Sequence, residues 1–482
     1  MVLAAGIGSG QTGRKERRKM KRSHHGGEDR SGRIRYDFSV NINPLGMPEA
    51  AKAALLSGWS MYENYPDDGC GALRDALSVR FGIDSGRIVC GNGVSDLIYR
   101  LCSCAGFRRV LLPMPAFSEY ERALTAAGCE IVPLFTEEES GFVLEEKHIS
   151  QISESFDALF LCNPGNPAGG LMEKTLIEKI VRRCEEKNVL LVADECFLDF
   201  VGNGGVHSAV WAARERKNVV VLKAFTKIFA MAGLRLGFAL FGRKELARNV
   251  AEFGAPWQVS GPAQAAGLAV LGTASGRMQE RIVPRSAADE IEGFAAPESV
   301  VSEEESEILL CRTVDGMASL AASESAVSRI MLYSAADEIR DLAEESAVNR
   351  TAEAGGFASF CCAEGDCCRD SGKDECAAFI EATAAYVQEE RRILEEALRE
   401  SGFSVVNGSA NFILFRASAG LDELIAKEGF SVRNCSDYLF CDPADTDAAA
   451  ADENKVYYRV AVRKSHENQL FLEAVRRCVK WL

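Results

Sequence analysis

Four polar side chains of different chemical kinds follow predicted strands in the first half of the chain. Asn166 follows the apolar run ALFLC, Asp194 ends VLLVAD, Lys227 follows VVVLKA, and Arg235 comes eight residues later. Each signal alone is weak, because Asn-Pro after a strand is often a turn. Parallel sheets, however, place ligands at the carboxyl ends of their strands. We therefore predict that an amide, a carboxylate, an amine and a guanidinium meet at one sheet edge, where they could bind and activate a small molecule.

The order of the apolar segments predicts an α/β fold. Between about residues 36 and 272, strand-like runs such as VLLPM, ALFLC, VLLVAD, VVVLKA and GFALF alternate with helix-length amphipathic segments. This alternation is typical of a mostly parallel sheet covered by helices on both faces. After residue 382, a long helical pattern precedes the strand-like segments NFILFRA and VYYRVAVR. We expect a smaller α+β domain there.

The charge of the chain is concentrated in one acidic segment. The net charge is −15, and residues 286–380 contain 21 acidic and 6 basic residues. The remainder is balanced, which argues against a nucleic-acid surface, and the basic run at residues 14–22 is typical of a solvated tail. We predict four parts: a basic tail and arm (1–35), a large domain (36–275), an acidic insertion (276–382) and a small domain (383–482).

The cysteine pattern and the lack of long apolar stretches indicate a cytoplasmic protein. Most of the seventeen cysteines are scattered singly through apolar segments, as in proteins with reduced thiols. No stretch is long enough to span a membrane, and the N-terminus does not resemble a signal peptide. The insertion contains a cluster of five cysteines: Cys361, Cys362, Cys367, Cys368 and Cys376. Their adjacent pairs lack the usual zinc spacing and no histidine accompanies them, so we expect no metal, with zinc as the alternative.

The four polar groups, together with the segment KAFTKIFAMAGLRLGF, resemble those of the fold-type-I pyridoxal-phosphate enzymes. The resemblance implies a mostly parallel seven-stranded sheet in the large domain and pyridoxal 5′-phosphate as cofactor. Lys227 matches the lysine that forms a Schiff base with the cofactor, and Asp194 matches the acid that faces its pyridine nitrogen. Asn166 matches the amide at its phenolic oxygen. Arg235 matches the guanidinium at its phosphate.

A glycine-bearing turn before a predicted helix gives a second phosphate signal. It follows the short strand RIVC and contains Gly93, Val94 and Ser95. Free N–H groups and the helix dipole at such a place favour an anion. The resemblance assigns the cofactor phosphate to this turn and to Thr226, and it puts Phe117 on the face of the cofactor ring. Ala224 replaces the hydroxyl residue usual in the family, so we expect one phosphate hydrogen bond fewer.

Several further motifs resemble the threonine-phosphate decarboxylases of cobalamin biosynthesis, which are relatives of the histidinol-phosphate aminotransferases. These motifs are HGG at His25, YDFSVNINPLGMP at Tyr36, YPD at Tyr65, DECFLDF at Asp194, RNCSDY at Arg433 and YYRVAVR at Tyr457. The resemblance covers about residues 24–275 and 383–482, and it fails over the insertion. Phe197 stands where many of the aminotransferases have a tyrosine, which favours decarboxylation.

The substrate that this resemblance implies is L-threonine O-3-phosphate, whose anionic groups suit arginine ligands. Arg433 and Arg459 are expected to bind its phosphate and carboxylate, in either order. His25, Asn43 and Asn166 are further implied substrate ligands. Arg463 is an additional candidate if it shares a strand face with Arg459.

The same resemblance implies a homodimer with a shared active site, because Tyr65 matches a tyrosine that reaches the cofactor phosphate of the neighbouring subunit. Two other functions stay open. Transamination of histidinol phosphate with 2-oxoglutarate would use the same cofactor residues, and an inactive cofactor-binding scaffold could use the insertion to bind a partner. Neither nucleic acid nor a membrane is expected as a partner.

Overall fold

The computed structural model describes residues 26–27, 32–272, 374–441 and 455–481, all of which belong to one compact unit. His25, the basic run, most of the acidic insertion and four of its five clustered cysteines lie outside these ranges. Among the described residues, no helix has the length and apolar character needed to cross a membrane. All twelve described cysteines are free thiols.

The strands of the described chain form three sheets. Their bounds are β1 (Tyr36–Asp37), β2 (Ile88–Asn92), β3 (Arg109–Met114), β4 (Glu130–Phe135), β5 (Ala158–Cys162), β6 (Leu190–Asp194), β7 (Val219–Ala224), β8 (Leu236–Phe241), β9 (Ser404–Val405), β10 (Phe412–Ser418), β11 (Phe430–Ser431), β12 (Arg433–Asn434) and β13 (Lys455–Ala461).

The largest sheet has seven strands in the order β2-β8-β7-β6-β5-β3-β4. Only β8 runs antiparallel to its neighbours. The predicted mostly parallel, seven-stranded sheet is therefore confirmed. Every residue of β6 and β7 is buried, which explains their continuous apolar sequences. Strand β4, EIVPLF, was not predicted from the sequence; it lies at the edge of the sheet and is partly exposed, as is typical of an edge strand.

Helices accompany these strands along the chain. They are α1 (Glu49–Ser57), α2 (Gly71–Phe81), α3 (Gly93–Cys104), α4 (Ser118–Ala126), α5 (Glu146–Ile149), α6 (Lys174–Glu186), α7 (Val210–Glu215), α8 (Phe225–Ile228), α9 (Lys244–Glu252), α10 (Gly261–Val270), α11 (Glu375–Glu400), α12 (Leu421–Lys427) and α13 (Ser465–Cys478). The side chain of Asp374 caps α11 by accepting a 3.0 Å hydrogen bond from the backbone N–H of Ala377. This helix includes the last residues that the sequence assigns to the insertion, among them the buried Cys376.

The C-terminal part contains an antiparallel sheet in the order β12-β13-β10-β9. The segments NFILFRA and VYYRVAVR supply β10 and β13, as their patterns predict. The N-terminal strand β1 pairs in parallel with β11, with Tyr36 opposite Phe430. Their rings stack with centroids 5.3 Å apart. The start of the described chain is thus fastened to its C-terminal part.

Close packing between β8 and the start of α3 generates a stability prediction. A Cβ atom on Gly237 would lie 2.7 Å from the backbone nitrogen of Val94 and 2.9 Å from the carbonyl carbon of Gly93. Backbone atoms cannot rotate away as a side chain can. Gly237→Ala is therefore expected to lower the free energy of unfolding by about 1–3 kcal/mol, as overpacking does, measured by urea denaturation.

Gly205→Ala is the matched control, because no atom lies within 4 Å of the Cβ that it would add. Its effect should stay within about 0.5 kcal/mol. Equal losses in the two variants would contradict the explanation by close packing.

Candidate active site

The carboxyl ends of β5, β6 and β7 open into a cavity of about 450 Å³, a size typical of small-molecule sites. Most of the side chains predicted from the sequence contribute to its wall. They are Val94, Ser95, Phe117, Asn166, Asp194, Thr226, Lys227, Arg235, Arg433 and Arg459. The structure therefore brings together groups that are separated by more than 300 residues in the chain.

Lys227 lies in the short helix α8, directly after the buried strand β7. Its amine forms no hydrogen bond with the part of the chain that the structure describes. Burial, followed by the charge of Arg459, lowers the pKa of Lys227 to about 8. A lysine with such a pKa is partly neutral near physiological pH. The neutral amine is the form that acts as a nucleophile.

Asp194 is the last residue of β6 and is 5% exposed. Its Oδ2 accepts a 2.6 Å hydrogen bond from the hydroxyl of Tyr120, and its Oδ1 accepts a 3.0 Å hydrogen bond from the backbone N–H of Cys196. No lysine or arginine of the described ranges forms an ion pair with it. A buried carboxylate held only by neutral donors is suited to a cationic ligand group.

Arg459 connects the C-terminal sheet to the turn after β5. Its Nη1 donates a 2.6 Å hydrogen bond to Oδ1 of Asn166, and its Nη2 donates a 3.1 Å hydrogen bond to the carbonyl oxygen of Ser39. Its guanidinium carbon lies 5.3 Å from the centre of the Phe412 ring. These contacts hold a buried guanidinium whose hydrogen-bond acceptors are uncharged. The positive charge of Arg459 is therefore available to an anionic ligand.

Arg433 lies directly opposite Arg459 in the pairing of β12 with β13. Its Nη2 donates a 2.6 Å hydrogen bond to Oδ2 of Asp437, and its Nη1 donates to the carbonyl oxygen of Asn434. Its guanidinium carbon lies 5.4 Å from the centre of the Tyr438 ring. Two guanidinium groups on one wall favour a ligand with two anionic groups.

The start of α3 contains the glycine-bearing turn that the sequence predicts to bind phosphate. Gly93 has φ +75°, and a Cβ there would lie 2.6 Å from Nη2 of Arg235. Only glycine therefore lets the guanidinium approach the first turn of the helix. No side chain caps this end of α3. The helix N-terminus and Arg235 together make an electropositive surface at the cavity.

Of the predicted residues that the structure describes, four do not contribute to the cavity wall: Gly93, Asn43, Tyr65 and Arg463. Asn43 is buried behind the lysine, where its side-chain amide donates to the carbonyl oxygen of Ile228 at 2.6 Å and to Oγ1 of Thr383 at 3.0 Å. Its backbone N–H donates to the carbonyl oxygen of Lys227 at 3.2 Å. Tyr65 is 79% exposed and stacks on Trp257 with ring centroids 4.3 Å apart.

Arg463 also lies off the wall, because β13 ends at Ala461 and the two arginines share no strand face. Both its Nε and its Nη2 donate to the Glu467 carboxylate, and Nη1 donates to the carbonyl oxygen of Asp37. His25 lies outside the described residues, although its neighbour Gly26 contributes to the wall.

Sequence reasoning missed several residues of the wall, including Asn41, Tyr120, Cys196 and Tyr438. Asn41 is 3% exposed, and its side-chain oxygen has no hydrogen-bond partner among the described residues. Of the two asparagines in the segment NINP, the structure thus places Asn41 on the wall and Asn43 behind it. Tyr120 carried one usable signal, since it lies three residues after Phe117 in a helical pattern and so on the same side of the helix.

Comparisons with known proteins agree with this architecture. The sequence model of the family "Aminotransferase class I and II" matches residues 34–290, more than half of the chain. A threonine-phosphate decarboxylase from Salmonella typhimurium is 35% identical over 235 residues, which cover 49% of this chain and 64% of that protein. A histidinol-phosphate aminotransferase from Desulfitobacterium hafniense is 33% identical over 241 residues, which cover 48% and 65%. The chain therefore spans just under two thirds of the length of both relatives.

Among solved structures, a histidinol-phosphate aminotransferase from Clostridium acetobutylicum matches with a TM-score of 0.64 and 21% identity. The match covers 93% of this chain and 100% of that one. This likeness confirms the predicted fold-type-I architecture, an α/β large domain with a smaller α+β part.

The environment of Lys227 generates a prediction about its ionisation. In the ligand-free protein, acylation of Lys227 by a small amine-specific reagent should reach half of its maximal rate near pH 8. An ordinary lysine would do so near pH 10.4. Below this midpoint the amine is protonated and unreactive, and above it the amine is neutral. Mass spectrometry of the Lys227 peptide across the pH range measures the midpoint.

Arg459→Gln should move the midpoint upward, because it removes a positive charge that lowers the pKa of Lys227. Arg433→Gln is the matched control and should leave the midpoint in place. A midpoint in the unmodified protein at the ordinary lysine value would contradict the described environment.

Proposed function

The chain belongs to the class I and II aminotransferase family, and we propose that it decarboxylates L-threonine O-3-phosphate to (R)-1-amino-2-propanol O-2-phosphate for cobalamin biosynthesis. Pyridoxal phosphate is the cofactor of this family. The decarboxylase that is 35% identical supports the reaction. The observation that carries the proposal is the presence of two buried arginines, Arg433 and Arg459, in the same cavity as Lys227.

The described side chains fit pyridoxal phosphate. Lys227 provides a partly neutral amine, and Asp194 provides a buried carboxylate without an ionic partner in the described chain. The missing Cβ of Gly93 leaves room for the guanidinium of Arg235 beside the start of α3, where phosphate oxygens would bind. When bound, the cofactor supplies an electron sink for the pair of electrons that a bond at the substrate α-carbon leaves behind.

Lys227 is the residue that would move protons at the α-carbon. With a pKa of about 8, its Nζ is able both to carry a proton and to lose it near physiological pH. In decarboxylation it donates a proton to the α-carbon after carbon dioxide leaves. In transamination it would first remove the α-proton. The cavity residues that orient the substrate decide between the two.

The two arginines differ in their effect on the amine. The charge of Arg459 lowers the pKa of Lys227 whereas Arg433 is not among the causes, and Arg459 also bonds to Asn166. Arg459 is therefore the arginine whose charge acts on the amine. The substrate carboxylate is attached to the α-carbon itself, while the phosphate is carried by the next carbon. We assign Arg459 to the carboxylate and Arg433 to the phosphate, with the phosphate replacing Asp437 as a partner of Arg433.

Two asparagines complete the proposed substrate site. Asn41 places an amide with an unpartnered oxygen on the wall, and Asn166 accepts a hydrogen bond from Arg459. His25 is proposed to approach from the N-terminal arm, of which Gly26 contributes to the wall. Asn43 contributes indirectly, since its hydrogen bonds hold the turn that carries Lys227.

Phe197 favours decarboxylation over transamination. It contributes to the cavity wall, and its ring packs edge-on against Phe412 with centroids 5.0 Å apart. It offers no hydroxyl to the cofactor, whereas many aminotransferases of the resemblance have a tyrosine here. Transamination of histidinol phosphate is the second candidate, because a relative of that kind is 33% identical. An inactive scaffold is a third, and the intact set of Lys227, Asp194 and Arg235 argues against it.

We further propose a homodimer in which Tyr65 reaches the cofactor phosphate of the neighbouring subunit. Tyr65 is highly exposed and held by its stacking on Trp257. Trp257 contributes to an open cavity of about 680 Å³ whose wall also includes Arg235. The exposed tyrosine and the phosphate-binding arginine thus lie at the same face, where a second copy could exchange its tyrosine.

The reaction is tested by incubating the purified protein and pyridoxal phosphate with threonine phosphate. Release of carbon dioxide without 2-oxoglutarate is expected. Lys227→Ala should abolish turnover, because no other lysine of the described residues contributes to the cavity wall. Lys174 is an exposed lysine on α6, and the control variant Lys174→Ala should leave turnover unchanged. A requirement for 2-oxoglutarate would identify an aminotransferase, and normal turnover of Lys227→Ala would refute the role of the lysine.

The assignment of the arginines is tested by comparing threonine phosphate with unphosphorylated L-threonine. Arg433→Gln should reduce the preference for the phosphorylated substrate by about 10- to 100-fold, the value of a charge-assisted hydrogen bond, measured as the ratio of kcat/KM values. Arg459→Gln should reduce kcat/KM for both substrates. Arg416 lies on the neighbouring strand β10, and the control variant Arg416→Gln should leave both kcat/KM values unchanged. Loss of the preference in Arg459→Gln alone would reverse the assignment.

A further inference from the structure

Tyr120 lies in the first turn of α4, between two groups of the proposed cofactor site. It is 2% exposed. Its ring stands edge-on to Phe117, with centroids 5.6 Å apart and planes at 87°, and it packs against Phe160 at 5.7 Å. Its backbone N–H donates to the carbonyl oxygen of Phe117 at 3.1 Å. The ring of Tyr120 is therefore fixed on both sides, and its hydroxyl has a defined direction.

That hydroxyl donates its hydrogen bond to Oδ2 of Asp194 at 2.6 Å. This length is typical of an O–H group bonded to a charged carboxylate, which makes a stronger hydrogen bond than a neutral pair. Burial, followed by the charge of Asp194, raises the pKa of Tyr120 well above its ordinary value. The hydroxyl thus keeps its proton and remains the donor.

The Asp194 carboxylate depends on such donors because it is buried without a cation among the described residues. The backbone N–H of Cys196 occupies Oδ1, and Tyr120 occupies Oδ2. A carboxylate has about four lone-pair positions, so two donors fix its plane and leave acceptor capacity for a third. Without Tyr120, one oxygen would be buried and unsatisfied, which raises the cost of its charge.

We infer that Tyr120 is a positioning residue that holds the Asp194 carboxylate oriented toward the ring nitrogen of the cofactor. The inference rests on the proposed function, since it needs the cofactor ring to lie in this cavity. It links one face of that ring to its nitrogen edge, because the same side chain contacts Phe117, proposed to stack on the ring, and Asp194, proposed to bind its nitrogen.

The test measures binding rather than turnover. Dissociation constants of apo protein are determined by calorimetry for pyridoxal phosphate and for its 1-deaza analogue, in which carbon replaces the ring nitrogen. Tyr120→Phe removes only the hydroxyl. It should weaken binding of pyridoxal phosphate about tenfold and leave binding of the analogue unchanged, because the analogue has no nitrogen for Asp194.

Tyr458→Phe is the matched control. Tyr458 is also a fully buried tyrosine that donates to an aspartate, Oδ1 of Asp422 at 3.2 Å, but it does not contribute to the cavity wall. Thermal unfolding of both variants shows whether each has folded, and Tyr458→Phe should bind both ligands as the unmodified protein does.

Equal weakening for the two ligands in Tyr120→Phe would assign the tyrosine a merely structural role and overturn the inference. Unchanged binding of pyridoxal phosphate by Tyr120→Phe would overturn it as well. The same experiment has a separate readout for the cofactor site itself: if the unmodified protein did not bind pyridoxal phosphate, both the proposed function and this inference would be refuted.

Discussion

The register of three neighbouring strands determines the relative positions of the amide, the acid and the amine in the cavity. Cys162 at the end of β5 lies opposite Asp194 at the end of β6, which in turn lies opposite Leu222 in β7. Because side chains alternate between the faces of a strand, a slip of one residue would turn the carboxylate into an apolar layer. The cost of burying the Asp194 carboxylate away from its hydrogen-bond donors opposes this slip. The amine on α8 and the amide after β5 follow from the same register.

The cavity contains more positive than negative charge. Lys227, Arg235, Arg433 and Arg459 contribute to its wall, and Asp194 is engaged by neutral donors. Burial is the largest cause of the lowered pKa of Lys227, and the positive charges of Arg459 and Arg235 lower it further. Ligands that bring a phosphate or a carboxylate compensate these positive charges. Binding of an anion at Arg459 would therefore raise the pKa of the lysine and return a proton to it.

Much of the site could be predicted because its members follow strands, and strand ends are visible as changes from apolar to polar residues. The amide, acid, amine and arginine at 166, 194, 227 and 235 all have this signature. Tyr120 lacks this signature. Its hydrogen-bond partner Asp194 is 74 residues away, and a tyrosine in a helix beside apolar residues is typical of any protein core.

The orientation of individual side chains could not be predicted from the sequence either. Asn41 and Asn43 have the same residue type and the same local motif, and only the tertiary contacts with Ile228 and Thr383 decide which of them turns inward. For Arg463, the end of β13 two residues earlier is decisive. The pattern VYYRVAVR is apolar and polar in strand-like alternation to its last residue, so it does not reveal where pairing stops.

Residues 36–43 have a mechanical consequence. This short stretch pairs with β11 at one end, accepts a hydrogen bond from Arg459 at Ser39, and bonds at Asn43 to the carbonyl oxygen of Lys227. It acts as a tether from the C-terminal sheet to the reactive amine. Through these contacts, residues 36–43 connect the arginine-bearing C-terminal sheet to the backbone of the lysine, so the anion-binding side chains and the amine share one structural support.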